Sequence, residues 1–126
     1  MTVLTQPPTM GDVLKYELNP NFTREMITLL AGTAYPLGAV LGRITANGKY
    51  KLATSGGSDG AQTAAAVLLY AVDATTADAT AIILARGPSI VSKAALVFDA
   101  TIDDAAKIAT KHGQLAALGI IPRDTA

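Results

Sequence analysis

The side chains able to do chemistry in this 126-residue chain are few and scattered. His112 is the sole histidine and cysteine is absent, which excludes multi-histidine and thiolate metal sites. A lone imidazole could still activate a serine or threonine, but no Gly-x-Ser-x-Gly elbow occurs. His112 therefore reads as a helix-face residue with a hydrogen-bond partner or solvent. Residues 42–49 (GRITANGK) look like a phosphate loop, yet five residues rather than four separate Gly42 from Gly48, and Tyr50 stands where a serine or threonine is required. The glycine-rich stretch at 55–60 (SGGSDG) could offer backbone donors to an anion, but its composition is that of a connector. Asp73, Asp78, Asp99, Asp103 and Asp104 lack the alternating spacing of a calcium loop and read as turn and cap residues. The chain reads as a non-enzyme with no catalytic, metal-ligating or cofactor-binding set.

The glycines at 42–48 have a simpler explanation in a β-hairpin spanning residues 35–52. Its turn signal is Asn47-Gly48. A two-residue loop would place Ile44 opposite Lys51 and mix charge with hydrocarbon on both faces. A three-residue loop, Ala46-Asn47-Gly48 with a left-handed glycine, sets Ile44 against Tyr50 and Gly42 against Leu52, leaving Thr45, Arg43, Lys49 and Lys51 on a wet face that could also meet an acidic partner. This second register is the expected one. Gly42 then leaves room for a close approach beside Leu52.

Before the hairpin, residues 1–20 carry Pro7-Pro8, Gly11 and Asn19-Pro20, with a short apolar patch at Val13, Leu14 and Tyr16. The prolines favour extended chain, so this stretch reads either as an arm suited to strand addition on another surface or as a frayed terminus. Val3, Leu4, Pro7, Pro8, Val13, Leu14 and Tyr16 are its candidate contacts. Residues 22–30 predict a strand, 53–60 a loop, and 67–72 a buried strand centred on Leu69, the alanines at 61–66 being ambiguous. Residues 73–80 predict a turn, 81–85 a second buried strand, and 89–98 an extended or partly helical piece. One helix is expected near the carboxyl end, with Thr101 as cap, a stripe of Ala105, Ile108, His112 and Leu115, and a stop at Gly119, where Ile120 folds back on Leu115 before Pro122.

Length suits one body, 21–126, behind the 1–20 arm. Half the residues are apolar but only six are aromatic, so the core must be built from small side chains that bring backbones close. Ten basic and ten acidic residues cancel, removing the long-range field that a nucleic-acid or anionic-membrane binder uses. No basic leader and no apolar run of about 18 residues is present, so neither a cleaved signal nor a membrane span is expected.

An ordered series of short matches adds a resemblance: Phe22-Thr-Arg-Glu25, Ala31-Gly32, Gly38-Ala-Val-Leu-Gly-Arg-Ile-Thr45, Lys49-Tyr50, Ser58-Asp-Gly60, Val72-Asp73-Ala74, Arg86-Gly87 and Leu118-Gly-Ile120. Over about residues 22–121 the chain resembles the head decoration proteins of tailed bacteriophages. The resemblance implies an α+β, mainly β, β-clip-like domain with a carboxyl-terminal helix. It also implies a homotrimer that cements the outer surface of the expanded capsid at three-fold and quasi-three-fold positions, bound to the major capsid protein, engaging it through the amino-terminal arm and made in the host cytoplasm. A part of the tail or baseplate would share the same bare composition, whereas a small-molecule-binding domain would need a convergent polar pocket.

Overall fold

The run Val67-Leu68-Leu69 has no polar side because both of its faces are covered. In the computed structural model, which describes residues 9–124, the chain runs α1 (Met10–Val13), β1 (Leu14–Glu17), α2 (Pro20–Thr23), β2 (Arg24–Leu29), β3 (Ala34–Tyr35), β4 (Val40–Arg43), β5 (Tyr50–Leu52), β6 (Ala64–Leu68), β7 (Val72–Asp73), β8 (Ala79–Leu84), β9 (Ser89–Ser92), a 3-10 turn (Lys93–Ala95), α3 (Ala105–Ala117) and β10 (Ile120–Arg123). Strands β2-β5-β4-β6-β8 close into a barrel, and β1-β9-β10 form a separate sheet. The mainly β fold with a carboxyl-terminal helix is as expected.

The barrel interior holds Leu29, Leu41, Ala66, Leu68, Ala81 and Ile83. Other residues of the same strands, Val40, Val67, Leu84 and, across the irregularity in the β4–β6 pairing, Ala64, point outward into a second core with Val13, Val91, Leu115 and Ile120. The small sheet and α3 thus cover one side of the barrel. Alanines on the interior suit a narrow barrel, which has room for few large side chains.

The expected strands are present with shifted ends. The strand expected at 22–30 is β2, preceded by the turn α2, which Asn19 caps by accepting from the Asn21 N–H at 2.9 Å. The strand expected around Leu69 ends at Leu68, the turn expected at 73–80 is entered by β7 and left by β8, and residues 89–98 are extended first and 3-10 helical next.

The hairpin register is corrected. Gly48 is left-handed, at φ +72°, but the observed pairs are Leu41 with Leu52, Gly42 with Lys51 and Arg43 with Tyr50. The loop is one residue longer than expected: Ile44 N–H donates to the Lys49 carbonyl and Gly48 N–H to the Ile44 carbonyl, each at 2.8 Å. Asn47 accepts from the Lys49 N–H at 2.9 Å. The expectation failed because it sought one apolar and one wet face, whereas β4 is buried on both sides. Nor are the hairpin lysines merely solvated, since Lys49 pairs with Asp78 and Lys51 with Asp59 at 2.6 Å. Gly42 does meet another backbone, but that of Ala61, across from Lys51.

Helix α3 is capped by Asp104, whose carboxylate accepts from the Lys107 N–H at 2.8 Å; Thr101 instead closes a turn on Asp99. Its stripe is rotated from the expected one. Ala105 is exposed, Ile108 and His112 are half-buried, and Lys111 and Leu115 are buried. Gly119, at φ +84°, ends the helix, and the chain continues as β10 alongside β9 in parallel. His112 has its ring 5.9 Å from that of Phe98 and a buried Nε2 with no hydrogen-bond partner among the described residues.

Two glycines make opposite predictions. A Cβ on Gly42 would sit 2.6 Å from the Ala61 Cα, so Gly42→Ala is expected to lose about 2 kcal/mol or more in urea unfolding. Gly113 faces open space within α3, and Gly113→Ala is expected to gain about 0.5–1 kcal/mol. Burial, reinforced by Lys93 and opposed by Asp124, holds His112 below the ordinary imidazole range. The unfolded chain then takes up the proton first, so stability should fall as pH drops through about 6.5, and His112→Gln should flatten that limb.

Candidate interaction surfaces

The amino-terminal segment fastens itself to the body one group at a time. Thr9 N–H donates to the Asp12 carboxylate at 2.7 Å, closing the first turn of α1. Val13 then points into the core at 1% exposure, and Leu14 packs beside it. Strand β1 pairs antiparallel with β9, and the Leu18 N–H extends the contact to the Pro88 carbonyl at 3.0 Å. Glu17 locks the end of this path. Its carboxylate accepts from the Thr23 hydroxyl at 2.7 Å and from Arg24 Nε at 3.1 Å. Burial pushes the Glu17 carboxyl up, but the Arg24 and Thr23 hydrogen bonds outweigh it, so its pKa lies below the usual carboxylate value. The same pairing raises that of Arg24.

The expectation of an extended arm through residue 20 is therefore corrected for its second half. Residues 10–17 are a helical turn and a strand of the body, because Val13 and Leu14 find apolar cover next to a strand edge of their own chain. Val13 is a core residue and Leu14 is packed against that core, so neither stands free as an anchor. Tyr16 does, at 49% exposure. Val3, Leu4, Pro7 and Pro8 lie outside the described residues. Among the hairpin candidates, Gly42 and Ile44 are buried, Asn47 and Gly48 build the turn, and Tyr50 packs against the barrel interior beside Leu29. All five serve the fold.

What the outer surface presents is apolar and bare. Tyr16, Ile90 and Ile121 are paired across β1, β9 and β10, so they form one row on that sheet. Met26, 72% exposed, sits opposite Ile82 on the outside of the barrel. Nearby Phe22 carries the Arg86 guanidinium 5.4 Å above its ring, and Arg86 also binds Glu25 and the Phe22 carbonyl. Sequence reading missed Phe22, Met26 and Ile82, since an alternating strand shows two faces and nothing in the alternation says which is left open. A cleft of about 570 Å³ between Val13, Pro36, Leu37, Ala95 and Val97 completes the apolar surface.

Several of the acidic side chains are engaged in structure. Asp73 accepts from Thr75, Asp78 from the Ala31 N–H, Asp59 from the Ala61 N–H and Asp99 from Thr101. Among the described residues no three acidic or imidazole groups converge as a metal site would require. No described helix is long and apolar enough to cross a membrane.

An exposed apolar surface of this kind is suited to contact with another protein. No curated protein matches the chain. The family model of the bacteriophage lambda head decoration protein D matches residues 3–120, nearly the whole length. The chain accordingly belongs to the bacteriophage lambda head decoration protein family and is associated with the phage capsid.

Proposed function

We propose that this protein is a homotrimeric cement, bound to the major capsid protein on the outer surface of the expanded head at three-fold and quasi-three-fold positions, where it stabilises the shell against the pressure of packaged DNA. The observation that carries the reading is the family match over residues 3–120, which takes in the leader as well as the barrel. The mechanism is multivalent clamping. Each trimer spans several shell subunits, and once one leader is bound the others are held at high local concentration.

The leader in this reading is residues 1–8, shorter than the sequence alone implied, because residues 10–20 belong to the body. Val3 and Leu4 are its side-chain anchors and Pro7-Pro8 keep it extended for strand addition. Tyr16, at the near edge of the body, extends the contact.

Purified protein mixed with empty expanded and unexpanded shells, then sedimented, tests this directly. The full chain is expected to co-sediment with expanded shells and to run as a trimer alone. A chain lacking residues 2–8 should keep its circular dichroism spectrum and urea midpoint yet lose at least tenfold in shell affinity. Undiminished decoration by the truncated chain would refute the role of the leader, and a monomer on sedimentation would refute the clamp.

A further inference from the structure

Lys111 is a buried lysine with no counter-charge among the described residues. On α3 it is only 2% exposed, and its ammonium donates to the Gln62 carbonyl and, at 3.3 Å, to Gln114 Oε1, both neutral acceptors. Gln114 Oε1 already accepts from the Ala64 N–H at 2.8 Å. None of the ion pairs among the described residues involves Lys111; Lys107, one turn earlier, is engaged with Asp103 at 2.7 Å. Burial alone acts on its ammonium, pushing the pKa down, and no acidic neighbour opposes it. An ammonium has three donors, and two are accounted for. Taking such a charge out of water without an opposite one is costly.

The space beside it is of the complementary kind. A cleft of about 60 Å³ is lined by Ser55, Lys107, Thr110 and Lys111, two basic and two hydroxyl-bearing residues, with the Lys107 ammonium shared with Asp103. Its walls are held in place, since the Ser55 N–H donates to Thr101 Oγ1 at 3.1 Å and the Thr110 hydroxyl to the Ala106 carbonyl at 3.0 Å. The volume exceeds what one water needs and is too small for an organic ligand. We infer that this cleft binds a single small inorganic anion, phosphate or chloride, which supplies the counter-charge for Lys111 and ties the 53–63 loop to α3.

The test is thermal unfolding of the full chain in chloride-free buffer, with ionic strength held by the bulkier methanesulfonate, titrated separately with sodium phosphate and sodium chloride. One of the two is expected to raise Tm saturably, by about 4–6 °C at ten times its Kd. The double variant Ser55→Ala/Lys107→Gln, which keeps the hydrogen bonds of Lys111, should lose that rise. In parallel, the ³¹P or ³⁵Cl line of the free anion should broaden with the wild type and not with the variant. An equal response of both proteins, or a rise that stays linear in salt, overturns the site and leaves the cleft to water.

Discussion

Two-sided burial of β4 and β6 is the constraint on which the other features depend. Leu41, Ala66 and Leu68 fill the barrel while Val40, Ala64 and Val67 fill the space under α3 and the small sheet, so two adjacent strands belong to both cores at once. Each large aliphatic side chain buried this way contributes about 1.5–3 kcal/mol, and their sum rests on backbones that lie unusually close. At Gly42 on β4 the chain comes directly against the Ala61 backbone. With few aromatic residues to span gaps, small side chains and near backbones are how a chain of this composition reaches packed density.

The same constraint decides what could be read in the sequence. The Asn47-Gly48 turn was legible because a left-handed glycine leaves a chemical signature, and so was the helix stop at Gly119. The hairpin register was not. Choosing it required a wet face, and β4 is buried on both sides up to the exposed Arg43, so the observed pairing sets Leu41 against Leu52. Lys111 was hidden for a related reason: periodicity counts lysine as polar, yet its stem can line a core if the ammonium finds acceptors, here on a loop 49 residues away. Strand β10 escaped because Pro122 argues against a strand, an objection that loses force at the edge of a sheet. Among the described residues, Tyr16 is the expected contact residue that lies exposed, while Met26 and Ile82 lie exposed on the outside of the barrel.

The amino end shows how a local apolar pair can reassign a segment. Val13 and Leu14 are few, but a strand edge of the same chain is always at hand, and Glu17 adds hydrogen bonds to Thr23 and Arg24 that fix the path of the segment. The proposed leader is thereby anchored at a defined point of the body.

Charge pairing completes the picture of a protein that recognises by shape. Lys49 with Asp78, Lys51 with Asp59, Arg24 with Glu17, Arg86 with Glu25 and Lys107 with Asp103 each cancel within a few ångströms. Partly exposed pairs of this kind add little stability. Their effect is on the field. With opposite charges side by side, the potential decays over a distance shorter than the screening length, and a neutral total leaves no long-range pull toward polyanions. For a protein proposed to sit outside a shell filled with DNA this suits the proposed clamp, whose affinity rests on apolar contact rather than on net charge.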